Sequence, residues 1–341
     1  MGRRILLLFI AFLFLGIAEG YGQSDNRERK QQPGEKRIAD PEKESAGSRK
    51  EVGLLSLLTF PSPPESLTLC NKPIPLALDD IRERFEREYY QMLEHRGLLT
   101  ILVKRHVKYG HILSDEISKM NLPSDLIYLA LTESYLNPRA ASKANASGMW
   151  QFIRETGKRE GLNISDNVDE RYSIVRSTKS ALTYLKKLND EFGDWLLVMA
   201  AYNCGEGRIR EAIANQASRD FFDLYLPEET DRYIYRIASI KEIITNTKKY
   251  GLTIDQKDFY RPFVVTEYLL EVKHDTHTSL LAQAMDMSYK TFRELNLHLR
   301  KYNLPKGVYY LYVPSEKKDI FLRRIRENPG LSVTQNSRDR N

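Results

Sequence analysis

The chain has 341 residues, 41% of them hydrophobic, and a formal net charge of +6. That length leaves room for two or three compact units with a sizeable core. The mild positive surplus favours an anionic polymer or surface as a partner, while the lack of an arginine-rich helix or aromatic-basic pattern argues against nucleic acid. Six scattered histidines and two cysteines, Cys70 and Cys204, provide no metal-ligand spacing, so no metal or organic cofactor is implied. The two cysteines suit either a disulfide in an oxidising compartment or two separate thiols.

Arg3 and Arg4 precede an apolar run, Ile5–Ala18, followed by the small residues Gly20 and Gly22. The run is too short to span a bilayer comfortably and fits the ~7–15 residues of a signal-peptide core. Residues 1–22 are therefore expected to be a signal peptide, with an uncleaved anchor as the alternative, and the expected location is the periplasm or cell envelope. No cysteine follows the run directly, so there is no sign of a lipoprotein site. Residues 23–75 read as a linker: a polar tether, then a proline-rich arm lying on the folded part.

Residues 76–110 form a helical N-terminal subregion. Ile81, Phe85, Tyr89 and Met92 recur at helical steps within Leu78–Leu93, and Leu98–Leu113 continues the pattern to an end near Gly110. The organising stretch is Asn121–Pro138. Pro123 suits a first helical turn, Asp125 suits the positive end of the helix dipole, and Pro138 marks the exit. Leu126, Leu129 and Ala130 lie seven, four and three residues before Glu133, which places this carboxylate on an apolar face. Desolvation raises the pKa of such a group, and a carboxyl still protonated near neutral pH is a candidate general acid. Position alone favours the plainer reading, a surface or capping glutamate.

Arg139–Gly148 is loop-like, and an apolar patch with Trp150 follows. Thr178–Phe192 carries an apolar stripe closed by Gly193, Asp194 is placed to cap Trp195–Asn203, and Gly205 and Gly207 break the chain before Arg208–Asn215. Asp231–Tyr250 is a last long helix. After Arg261 the character changes: Tyr268–Val272 and Tyr309–Val313 read as strands, and two short helices, Thr278–Met287 and Tyr289–Leu297, lie between them. The expected fold class is mainly α, with a helical catalytic domain over 111–261, a small α+β module over 264–328 and a disordered tail over 329–341.

Four short stretches share a chemical logic: Glu133-Ser134; Gly148-Met149-Trp150-Gln151; Ala201-Tyr202-Asn203-Cys204-Gly205; and Glu229-Thr230-Asp231-Arg232-Tyr233. Gly148 would let a ligand approach the backbone, and Gln151 offers both a donor and an acceptor. Each stretch alone has an ordinary structural explanation, as a core aromatic, a helix break or a cap. Together and in this order, the set resembles the catalytic domain of glycoside hydrolase family 23, lytic transglycosylases with a lysozyme-like fold, over roughly Leu76–Gly251. Asp169-Glu170-Arg171 and Phe192-Gly193-Asp194-Trp195 match its membrane-bound members.

The resemblance implies that Glu133 is the catalytic acid. It implies cleavage of the bond between N-acetylmuramic acid and N-acetylglucosamine in peptidoglycan, with closure of a 1,6-anhydro ring. Ser134 and Tyr202 would hydrogen-bond around Glu133. Met149, Trp150 and Gln151 would line the sugar cleft, and Asn203, Glu229 and Tyr233 would contact the glycan or hold the cleft shut. Two departures stand out: Arg154 precedes Glu155-Thr156 where the family often has a proline, and Ser173-Ile174 replaces its usual Asp-Pro. The alternatives are a hydrolytic muramidase, for which Asp169 or Glu206 is the candidate second carboxylate, and a cell-wall-binding protein without catalysis. The C-terminal module resembles a degenerate LysM domain, through Leu295-Asn296 and Val313-Pro314, and glycan binding by it is balanced against a purely structural role.

Overall fold

The structure, a computed structural model, describes residues 61–335; the expected signal peptide and polar tether lie outside the described residues. It opens with a hairpin of β1 (Leu67–Leu69) and β2 (Lys72–Ile74), turned by Cys70 and Asn71 at positive φ. This part of the expected linker is packed onto the helical part. The Cys70 N–H and the Lys241 Nζ both donate to the Asp125 carboxylate, each at 2.7 Å, and Leu69 is fully buried.

Eight helices follow. They are α1 (Asp79–Glu94), α2 (Arg96–Lys119), α3 (Leu126–Ser134), α4 (Arg154–Arg159), α5 (Ile174–Phe192), α6 (Trp195–Cys204), α7 (Glu206–Gln216) and α8 (Glu228–Thr245). The apolar positions predicted for α1, Ile81, Phe85, Tyr89 and Met92, are all buried. Helix α2 runs straight through Gly110, which stays helical because its neighbours on either side keep burying an apolar stripe. Helix α3 starts three residues after Pro123. Asp125 precedes it without capping it, because its carboxylate is taken by Cys70 and Lys241. Asp194 caps α6 as expected, accepting the Leu196 and Leu197 N–H groups at 2.8 and 3.3 Å. Helix α8 packs against α1, α3 and α6, so its inward face looks onto the end of α3 that carries Glu133.

The C-terminal part has a three-stranded antiparallel sheet in the order β6-β3-β7, formed by β3 (Val265–Val272), β6 (Gly307–Pro314) and β7 (Leu331–Gln335). Tyr268, Leu270 and Val272 alternate onto its buried face. Between β3 and β6 lie a two-residue pairing of β4 (Thr276–His277) with β5 (Asn303–Leu304) and the two short helices, α9 (Ser279–Ala284) and α10 (Tyr289–Leu295). The expected strand–helix–helix–strand order is present and is extended by α11 (Lys318–Arg326) and β7. Residues 331–335 are therefore a strand and not a disordered tail: they complete the open edge of β3 and bury Leu331. Among the described residues, no helix is long and apolar enough to cross a membrane.

Candidate active site

Glu133 occupies the last turn of α3. Its helical neighbours Leu126, Leu129 and Ala130 are fully buried. The helix ends abruptly because Tyr135 and Leu136 both take positive φ, with the Tyr135 N–H closing onto the Leu131 carbonyl at 2.8 Å. The Glu133 side chain is half-buried. Burial pushes its pKa up to about 7; the Tyr233 hydroxyl and the Arg236 charge oppose that rise, and the Glu229 charge adds to it. Near neutrality this carboxyl thus exists in both protonation states, which suits a group that must give a proton and take one back.

Tyr233, fully buried on α8, donates its hydroxyl to Glu133 Oε1. Tyr233, expected to contact the glycan or hold the cleft shut, is thus a direct partner of the Glu133 carboxyl. Glu229, one turn earlier on α8, is half-buried, and desolvation raises its pKa as well. Arg236, one turn later, is bound through Nε to Glu88 Oε2 at 2.9 Å, and Arg232 Nε reaches the other Glu88 oxygen at 2.5 Å. Sequence reading passed over Glu88 and Arg236. The signal for Arg236 was its spacing, since Glu229, Arg232, Tyr233 and Arg236 share one face of α8.

The second wall is the turn 146–152. Ser134 Oγ donates to the Met149 carbonyl at 2.8 Å, and Tyr202 Oη donates to the Trp150 carbonyl at 2.7 Å. Neither hydroxyl bonds to Glu133 itself: around it, they fasten the turn to the neighbouring helices. Tyr202 nevertheless lies near enough for the Glu133 charge to contribute to its raised pKa. Met149 and Trp150 cannot line a sugar cleft with their side chains. Both are buried, and Trp150 Nε1 donates inward to Thr178 Oγ1 at 2.9 Å. Their large apolar surfaces belong to the core and leave only backbone for the site. Gln151 is half-buried at positive φ, and its amide donates to the Gly148 carbonyl at 2.7 Å. Asn203 Oδ1 accepts from Thr230 Oγ1 at 3.0 Å, tying the end of α6 to the start of α8.

Gly148 is required by geometry: φ is +79°, and a Cβ there would sit 1.8 Å from the Arg171 carbonyl oxygen. Arg171 templates the whole turn, donating to the carbonyls of Asn145 at 2.7 Å and Phe152 at 3.1 Å while paired with both Asp169 oxygens. Asp169 is thus occupied. Glu206 is also occupied, accepting from Tyr184 Oη at 2.8 Å and Arg159 at 3.1 Å. Among the described residues, no group of histidine, cysteine and acidic side chains could hold a metal ion.

Residues 112–224 match the family Transglycosylase SLT domain. Membrane-bound lytic murein transglycosylase D of Escherichia coli strain K12 is 32% identical over 243 residues, 70% of this chain and 53% of that protein. Peptidoglycan transglycosylase gp16 of Escherichia phage T7 is 40% identical over 114 residues, 33% of this chain and 9% of that one. The solved 70 kDa soluble lytic transglycosylase from Escherichia coli superposes with a TM-score of 0.36 at 22% identity, over 46% of this chain and 27% of that one. The chain spans about half the length of the curated murein transglycosylase that it matches. The chain is thus similar to a transglycosylase SLT domain over residues 112–224 and, across 70% of its length, to a membrane-bound lytic murein transglycosylase.

Proposed function

We propose that the protein is a peptidoglycan lytic transglycosylase that uses Glu133 as its single catalytic carboxyl. The observation that carries this reading is one half-buried glutamate, held by the Tyr233 hydroxyl, whose pKa burial pushes up to about 7. In the first half of the cycle, Glu133 protonates the glycosidic oxygen as the bond from C1 of N-acetylmuramic acid breaks. The substrate's own acetamido group stabilises the cation at C1. In the second half, the Glu133 carboxylate removes the proton from the C6 hydroxyl while O6 bonds to C1. The proton count returns to its start and no water is consumed. Tyr233 supports the ionised state of Glu133 between the two halves, and hydrogen bonds to a charged acceptor are the stronger kind.

Gln151, Asn203, Glu229 and the backbone of 148–151 are the groups that face the glycan in this reading, with Met149, Trp150, Ser134 and Tyr202 holding that wall in place. A hydrolytic muramidase would need a second carboxylate free to orient water. The engagement of Asp169 by Arg171 and of Glu206 by Tyr184 and Arg159 weighs against both candidates. A cell-wall-binding protein without catalysis would gain nothing from a desolvated acid, which costs stability.

The C-terminal module is proposed as a degenerate LysM-like unit that takes N-acetylglucosamine-containing chains. Support comes from a stack of rings on its surface: His277 and Tyr302 lie 6.0 Å apart at 13°, and Tyr302 and Tyr289 lie 5.7 Å apart at 19°. Tyr302 is 66% exposed. The cell envelope is the proposed location. Muropeptides released from purified sacculi test the reading by mass spectrometry: 1,6-anhydro products are expected from the parent protein and none from Glu133→Gln. Parent protein that leaves sacculi intact would reject it.

A further inference from the structure

We infer that the C-terminal module is a buttress for the 146–152 turn of the site, and that Tyr312 is the positioning residue through which it acts. This rests on the transglycosylase reading for its kinetic arm only.

The template of the turn, Asp169–Arg171, is held from two sides. On one side Arg171 supports the Gly148 turn. On the other side the segment leading into it belongs to the C-terminal module as much as to the helical part. Val168 is buried in the module's own apolar cluster and bridges to Leu299. The Asp169 N–H donates to the His298 carbonyl at 2.8 Å, and the Arg300 N–H donates to the Asn167 carbonyl at 2.7 Å. These are strand-like backbone bonds between parts of the chain that lie far apart in sequence. Two cations add to the seam: the Arg300 guanidinium lies 4.5 Å from the Tyr172 ring centroid, and that of Arg176 lies 4.0 Å from the Tyr310 centroid.

Just past the template a buried polar chain crosses the same seam. The Arg176 N–H donates to Ser173 Oγ at 3.1 Å, and Ser173 Oγ is 2.5 Å from Tyr312 Oη. Tyr312 in turn donates to Glu267 Oε2 at 3.1 Å. Ser173, Tyr312 and Glu267 are all buried. The donors run in one direction and end on a carboxylate, so Ser173 must supply a proton to Tyr312. An aspartate at this position has no proton to give and would add a carboxylate to the buried pair Glu267 and Glu170. Serine at 173 is thus matched to the module that covers it.

The test uses the full chain with Ser173→Asp, Ser173→Asp/Glu267→Gln and, as a module substitution away from the seam, Ser332→Ala. In the double variant a glutamine amide can donate to Tyr312, which then donates to the aspartate, so the chain of bonds is restored in reverse. Two readouts are taken. Amide hydrogen exchange over residues 145–152 reports the turn directly and needs no activity. The kcat and KM on a short soluble glycan report its consequence.

Ser173→Asp is expected to speed exchange across the turn and to lower kcat about tenfold with little change in KM, because small misplacement of a site wall costs rate more than binding. The double variant is expected to recover both, and Ser332→Ala to leave both unchanged. Exchange over 145–152 that is unaltered in Ser173→Asp, or altered and not restored by Glu267→Gln, overturns the inference. If the parent protein releases no anhydro product, the transglycosylase reading fails, while the exchange arm still decides this one.

Discussion

Burial of Glu133 predicts a specific pH dependence of stability. An ordinary glutamate titrates near 4.5, and this one titrates at about 7 in the folded protein. Between those values the folded state holds the proton and the unfolded state does not, so stability falls as pH rises through that window. Below it both states are protonated and the group contributes nothing. At ~1.4 kcal/mol per pH unit, the full penalty above pH 7 is about 3 kcal/mol. Glu133→Gln keeps the shape and removes the titration. Urea unfolding of parent and variant at pH 4 and pH 8 isolates the effect, since every other titrating group is common to both. The stability gained by the variant is expected to be about 3 kcal/mol larger at pH 8 than at pH 4. A difference that stays constant across that range, or grows toward acid, would refute the placement of Glu133 in a desolvated site.

Tyr233→Phe removes the hydroxyl that stabilises the Glu133 carboxylate. The acid then stays protonated to higher pH, and the alkaline limb of the pH–rate profile is expected to move up by about one pH unit or more, given ~1.5–3 kcal/mol for a hydrogen bond to a charged group; a limb that moves down contradicts the contact. Gly148→Ala combines a left-handed φ with a Cβ 1.8 Å from the Arg171 carbonyl oxygen. Denaturation is expected to show a loss of about 3 kcal/mol or more, together with loss of activity. Near-parental stability would mean that the turn is not templated by Arg171.

The apolar surroundings of Glu133 were legible from spacing, because a nine-residue helix leaves few ways to place it other than beside Leu126, Leu129 and Ala130. The helices that bury a periodic stripe were legible for the same reason. What stayed hidden depends on contacts between distant parts of the chain. Tyr233 meets Glu133 across 100 residues, and no local pattern distinguishes its hydroxyl from one that points at ligand. Met149 and Trp150 sit in a motif that reads as a ligand-binding strip, yet packing pulls both side chains inward and leaves their carbonyls to Ser134 and Tyr202. The Leu331–Gln335 segment is too short and polar to announce itself as a strand; it becomes one because β3 offers a free edge. Asp125 stands at the start of its helix as expected, but the partners of its carboxylate, the Cys70 N–H and Lys241, come from distant parts of the chain.

The most direct measurement is digestion of sacculi in heavy-oxygen water, with mass analysis of the new chain ends. Glu133 acting as donor and then acceptor on the sugar's own hydroxyl predicts ends that carry no label and are lighter than reducing sugars by one water. Labelled reducing ends would show that water is the nucleophile and would contradict the single-carboxylate cycle.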